Sequence, residues 1–173
     1  MLARTETYLA VAECWLAQLE RALSDRDDTV LKTLFSVDSH WRDVLALTWR
    51  ITTVNGRDAI VRELSKHSPR ASPVNFKIPP HRTAPRLATR AGIGSIEAIF
   101  AFETADGRGS GVVRLRRVDD NDTTPKAWTL LTALDEIKGH EGSLDDHARR
   151  VRRIRAIFVG PIGSISDGRR RIR

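Results

Sequence analysis

Between residues 6 and 24, apolar Tyr8, Val11, Ala12, Trp15, Leu16, Leu19 and Leu23 recur at steps of three and four. That spacing predicts one amphipathic helix, with Glu13, Gln18, Glu20 and Arg21 left to water. The polar run Ser24-Asp25-Arg26-Asp27-Asp28 stops it, and Asp27 or Asp28 can accept from the free amides of a second short helix. That helix carries Val30, Leu31, Leu34 and Phe35. From Trp41 the period falls to two. Trp41, Asp43, Leu45, Leu47 and Trp49 alternate with Arg42, Val44, Ala46, Thr48 and Arg50, which predicts a strand through Arg50.

Asn55-Gly56 marks a turn, and Arg57–His67 reads as a third helix with Ile60, Val61 and Leu64 inward. Five prolines (69, 73, 79, 80 and 85) leave room for a short strand, Val74–Ile78, best suited to a sheet edge. Ser95–Thr104 and Ser110–Val118 flank Ala105-Asp106-Gly107-Arg108-Gly109, a hairpin loop. Ala127–Ile137 is apolar on both faces and is expected at the centre of the sheet. Helices first and hairpin-linked strands afterwards imply an α+β fold with a mostly antiparallel sheet. After Gly139 the periodicity ends. Residues 1–140 are expected to form the domain, and 141–173 a basic, disordered tail.

Composition sharpens this division. The 173-residue chain carries a formal net charge of +7. Residues 138–173 hold ten Lys or Arg against four Asp or Glu, whereas the remainder is almost balanced. The basic character therefore belongs to the tail, and without interleaved aromatics it argues against a nucleic-acid reader. A single cysteine, Cys14, excludes an intramolecular disulfide and fits a reducing, cytoplasmic setting. No apolar run is long enough for a membrane span.

The segment Leu34-Phe35-Ser36-Val37-Asp38-Ser39-His40-Trp41-Arg42-Asp43, followed by Val54-Asn55-Gly56-Arg57-Asp58-Ala59-Ile60, resembles the SnoaL-like, or nuclear transport factor 2-like, superfamily. The resemblance covers about residues 6–138. It implies a cone-shaped α+β barrel, with three N-terminal helices on a curved sheet and an apolar pocket between them. Residues 39–49 and 54–60, with Trp128–Glu141, are also similar to the N-terminal domain of bacterial flavin-containing monooxygenase-like proteins. That likeness implies a module serving a flavoenzyme. FAD and NADPH would belong only to the related full-length proteins, since no G-x-G-x-x-G fingerprint occurs in this chain. The resemblance also implies a homodimer with its contact on the open sheet face, where strand residues such as Val113 and Leu115 lie beside many arginines.

Candidate chemistry centres on Asp43, which falls where steroid isomerases of this superfamily carry their proton-transferring aspartate. Burial would suit it as a general base on a small cyclic carbonyl substrate, in an isomerase, cyclase or dehydratase. The competing reading is an aspartate bonded to backbone or to an arginine. His40 alternates away from Asp43 and is the second catalytic candidate. Tyr8, Trp15, Trp41, Leu45, Trp49, Phe100 and Trp128 are the expected pocket wall, entered near Trp41 and Asp43 and suited to a small apolar ligand. The five histidines show no metal-ligand spacing. The tail segment 154–164 also suits linker codons read out of register, so a frameshift near residues 145–150 is expected to have separated this domain from a flavin-dependent oxidoreductase.

Overall fold

The structure, a computed structural model, describes residues 2–117 and 124–140, with side chains from residue 7 onward. The expected tail, 141–173, lies outside the described residues. Helix α1 spans Leu2–Asp25 and buries Ala12, Trp15, Leu16, Leu19, Ala22 and Leu23 along one stripe. Asp27 caps α2 (Asp28–Leu34), its carboxylate accepting from the amides of Thr29 and Val30 at 3.0 Å. Helix α3 runs Arg57–Ala71, a turn beyond the expected end. Pro69 sits in its last turn, where the carbonyl one turn back loses a bond but the chain need not continue.

Seven strands follow the order β2-β1-β7-β6-β5-β3, with β4 pairing β5 beside β3. They are β1 (Phe35–Val44), β2 (Ile51–Asn55), β3 (Val74–Lys77), β4 (Arg86–Arg90), β5 (Ile93–Glu103), β6 (Gly107–Arg116) and β7 (Lys126–Ile137). All pairings are antiparallel except β1 with β7. The three helices thus pack on a curved, open, mixed sheet, the α+β arrangement expected. Strand β7 is central, between β1 and β6, and β3 lies at an edge, as their composition predicts.

Two expectations are corrected. The apparent strand from Trp41 to Arg50 is a hairpin: β1 ends at Val44, residues 45–50 form the loop, and β2 returns antiparallel. Strand β4 follows the proline-rich stretch directly and pairs Leu87 with Ile96. Its few apolar residues and exposed arginines hid the alternation, because an edge strand gains little from burial.

Side chains of the sheet divide cleanly by face. Inward lie Trp41, Ala98, Phe100, Phe102, Val113, Leu115 and Leu130, all buried against the helices. Phe102 stacks on Phe76 at 5.3 Å between ring centroids, and Trp15 meets Phe35 edge-on at 5.8 Å. Gly109 and Gly111 pair with Phe102 and Phe100, and a Cβ on either glycine would overlap those rings. Val113 and Leu115 are therefore core residues of the inner face. The outward residues are Ile99, Val112 and Leu131, with His40, Arg42, Arg114 and Glu97 around them.

Candidate functional site

Asp43 is fully buried near the C-terminal end of β1. Its Oδ1 accepts from the Thr132 hydroxyl at 2.6 Å, and Oδ2 from the Thr48 hydroxyl at 2.6 Å and the Thr48 amide at 2.8 Å. The Leu47 amide donates to both oxygens at 3.2 Å. Thr132 in turn accepts from Trp41 Nε1 at 3.0 Å. These bonds explain why the strand stops. Leu45 and Trp49 take left-handed backbone (φ 63° and 57°), which disfavours residues with a Cβ. The buried carboxylate draws the amides of Leu47 and Thr48 inward and offsets that cost, while the Leu45 amide closes the loop on Arg50 O at 3.0 Å. With its acceptor directions filled, Asp43 has none left for a substrate proton unless a loop contact breaks. The geometry is that of a backbone-bonding aspartate.

The expected pocket residues separate. Trp41 and Phe100 are wholly buried core. Leu45 and Trp49, at 39 % and 38 % exposure, stand on the β1–β2 loop and not on a shared inner face. Trp128 points away from the core, its ring 5.5 Å from the guanidinium of Arg116, which pairs with Asp38. That pairing holds the Asp38 carboxyl below the ordinary range. His40 lies on the outer face, opposite Asp43 as its alternation predicts, with Nδ1 2.7 Å from Asn55 Oδ1.

Tyr8 and Trp15 do line cavities, but at the other end of the sheet. One, of about 270 Å³, is lined by Tyr8 and Val11 of α1, Leu87 of β4, Gly94 and Ile96 of β5, and Leu115 of β6, with Arg116, Arg117 and Pro125 also on its wall. A second, of about 330 Å³, runs along α1 past Cys14, Trp15 and Gln18. Both share Thr7, Val11 and Pro125. Asp43 pairs with Thr132, which faces Gly111, four residues along β6 from Leu115. The cavity is therefore roughly 13 Å of strand away from the aspartate. Trp41 and Asp43 are both fully buried, and neither lines any of the cavities described here. Sequence reasoning missed Val11, Leu87, Ile96 and Leu115. Val11 shares Tyr8's helix stripe, but nothing local brings β4 and β5 to that helix.

Two further cavities have charged side chains on their walls. One of about 470 Å³ is lined by Asp28, Thr29, Lys32, Thr33, Arg57 and Lys126. The other, of about 310 Å³, lies on the outer sheet face among His40, Arg42, Thr53, Val112, Arg114, Thr129, Leu130 and Leu131. Beside it Glu97, almost buried, receives Arg86, Arg90 and Arg114 at 3.2, 3.2 and 2.9 Å. Hydrogen bonding from Arg90 and then Arg114 keeps the Glu97 carboxyl below its usual range despite burial. Among the described residues no cluster of His, Cys, Asp or Glu could hold a metal ion, and no helix is long and apolar enough to cross a membrane.

This framework has counterparts among solved structures. A domain of unknown function with a cystatin-like fold from Nostoc punctiforme superposes with a TM-score of 0.56 at 12 % identity, over 86 % of this chain and 94 % of its own. An uncharacterized cystatin-like protein from Caulobacter vibrioides gives 0.54 at 12 % identity, over 82 % and 96 %. A nuclear transport factor 2-like superfamily protein from Salmonella enterica serovar Typhimurium gives 0.53 at 13 % identity, over 79 % and 97 %. No protein-family model matches the chain, and no curated protein matches it in sequence. The chain has the cystatin-like, nuclear transport factor 2-like α+β fold.

Proposed function

We propose that this domain is a binding module for a small apolar ligand, held between the first half of α1 and the adjoining ends of β4, β5 and β6. The observation that carries the reading is the cavity walled by Tyr8, Val11, Leu87, Ile96 and Leu115. Apolar walls with a few polar groups at the margin, here Arg116 and Arg117, are the usual composition of a small-molecule site. Its volume of about 270 Å³ suits a compact ring compound, and continuity with the groove along α1 allows a longer one. Asp43 takes no part.

Gly94 supplies the test. It lines the cavity from the exposed start of β5, and a Cβ there meets nothing within 4 Å. Gly94→Leu should fill the cavity without strain. Thermal-shift screening with apolar carbonyl compounds and indoles should reveal ligands that raise the melting temperature of the native chain, and Gly94→Leu should abolish the rise. A flat response of the native chain, or an undiminished one in the variant, overturns the reading. The partner we infer is a flavin-dependent oxidoreductase, on the sequence likeness of residues 39–49, 54–60 and 128–141 to domains that precede such enzymes. A G-x-G-x-x-G strand-turn-helix encoded directly downstream in another frame would support it; a packed element at 145–173 would count against it.

A further inference from the structure

We propose that the outer face of the sheet carries a second site, independent of the inner cavity, for a small flat carboxylate with an apolar body. Four strands present two ranks of side chains there. One rank reads Asn55, His40, Thr129, Arg114 across β2, β1, β7 and β6; the next reads Thr53, Arg42, Leu131, Val112. Adjacent strands lie about 4.8 Å apart and the ranks about 7 Å, so the patch matches a one- or two-ring compound. Leu131 and Val112 form its apolar floor, and Arg42 and Arg114 stand at diagonal corners.

The donors at this patch are not used up. A guanidinium carries five N–H groups. Arg42 spends one on the Thr53 hydroxyl at 3.2 Å, and its guanidinium has no carboxylate partner among the described residues. Arg114 spends two, on Glu97 at 2.9 Å and Thr129 at 3.4 Å. Glu97 is shared among three arginines, so it neutralises only part of their charge. No carboxylate lines the cavity. Two guanidinium forks around an apolar floor select a planar anion: a carboxylate accepts from such a fork in its own plane, and its attached ring lies on Leu131 and Val112.

Amide chemical-shift titration of the full chain tests this with 2-naphthoate, 2-naphthamide and inorganic phosphate. Naphthoate should shift Thr53, Val112, Thr129 and Leu131 saturably. The neutral amide, and naphthoate with the exposed-site variant Arg42→Gln, should each bind about tenfold more weakly, one charge-assisted contact having been lost. Gly94→Leu should leave this binding unchanged, which separates it from the inner cavity. The proposal falls if the shifts map to Tyr8 and Ile96, if phosphate binds as well as naphthoate, or if Arg42→Gln has no effect. It falls equally if naphthoate does not saturate at millimolar concentration, or if a dimer buries Val112 and Leu131 and excludes it.

Discussion

The two ends of the sheet differ in how their interiors are closed. At the end holding Asp43, a buried carboxylate gathers the β1–β2 loop, Thr132 links it to Trp41, and the phenylalanine rings of β5 press into Gly109 and Gly111. At the end holding Tyr8, Gly94 stands against empty space and the wall is built from α1 and the ends of three strands. The residues most suggestive of chemistry are spent on closing the first end. The second, made of ordinary aliphatic residues, is the one with room. A carboxylate buried in this fold is therefore better judged by its free acceptor directions than by its position in a motif.

Breaking the closed end should have the largest effect. Asp43→Ala leaves the buried donors of Leu47, Thr48 and Thr132 without their acceptor and should lower unfolding stability by about 3–5 kcal/mol. Urea denaturation measures this. A loss below about 1 kcal/mol would mean the loop does not depend on the carboxylate, and the contrast between the ends would dissolve.

Packing gives a second, smaller break. Gly111→Ala places a methyl against the Phe100 ring and the Leu131 carbonyl, and should cost about 1–3 kcal/mol through overpacking. Gly94→Ala, at the exposed start of β5, should be neutral or slightly stabilising. Equal melting temperatures for the two variants would show that the ends are not packed differently.

The smallest effect concerns the outer face and sharpens the comparison by pH. The Glu97 carboxyl titrates below its ordinary value of 4.5 because Arg90 and then Arg114 bond to its charged form. A depressed carboxyl contributes stability that is present above the unfolded value and is lost as pH falls through the folded one. Below pH 4.5, then, the native chain should lose melting temperature faster than Glu97→Gln, and the two curves should run parallel above it. Identical acid slopes would refute the coupling.

Helix periodicity located α1, most of α2 and the start of α3, and the polar run after α1 narrowed the cap to Asp27 or Asp28, because those features depend on neighbours within one or two turns of sequence. Prolines and two-faced apolarity marked the edge and central strands. The wall of the apolar cavity was not legible in the same way. Leu87, Ile96 and Leu115 come together with Tyr8 only through the pairing of β4 with β5 and β5 with β6 and the seat of α1 against them. The stretch from Trp41 to Trp49 shows the limit most plainly. Its alternation satisfies the local rule for a strand, and the chain turns nonetheless, since Thr132, on a strand 89 residues away in sequence, helps hold a carboxylate where the Leu47 and Thr48 amides can reach it. Alternation records which positions avoid water; where a strand stops depends on the hydrogen bonds that buried polar groups find, and those partners are chosen only once the sheet is assembled.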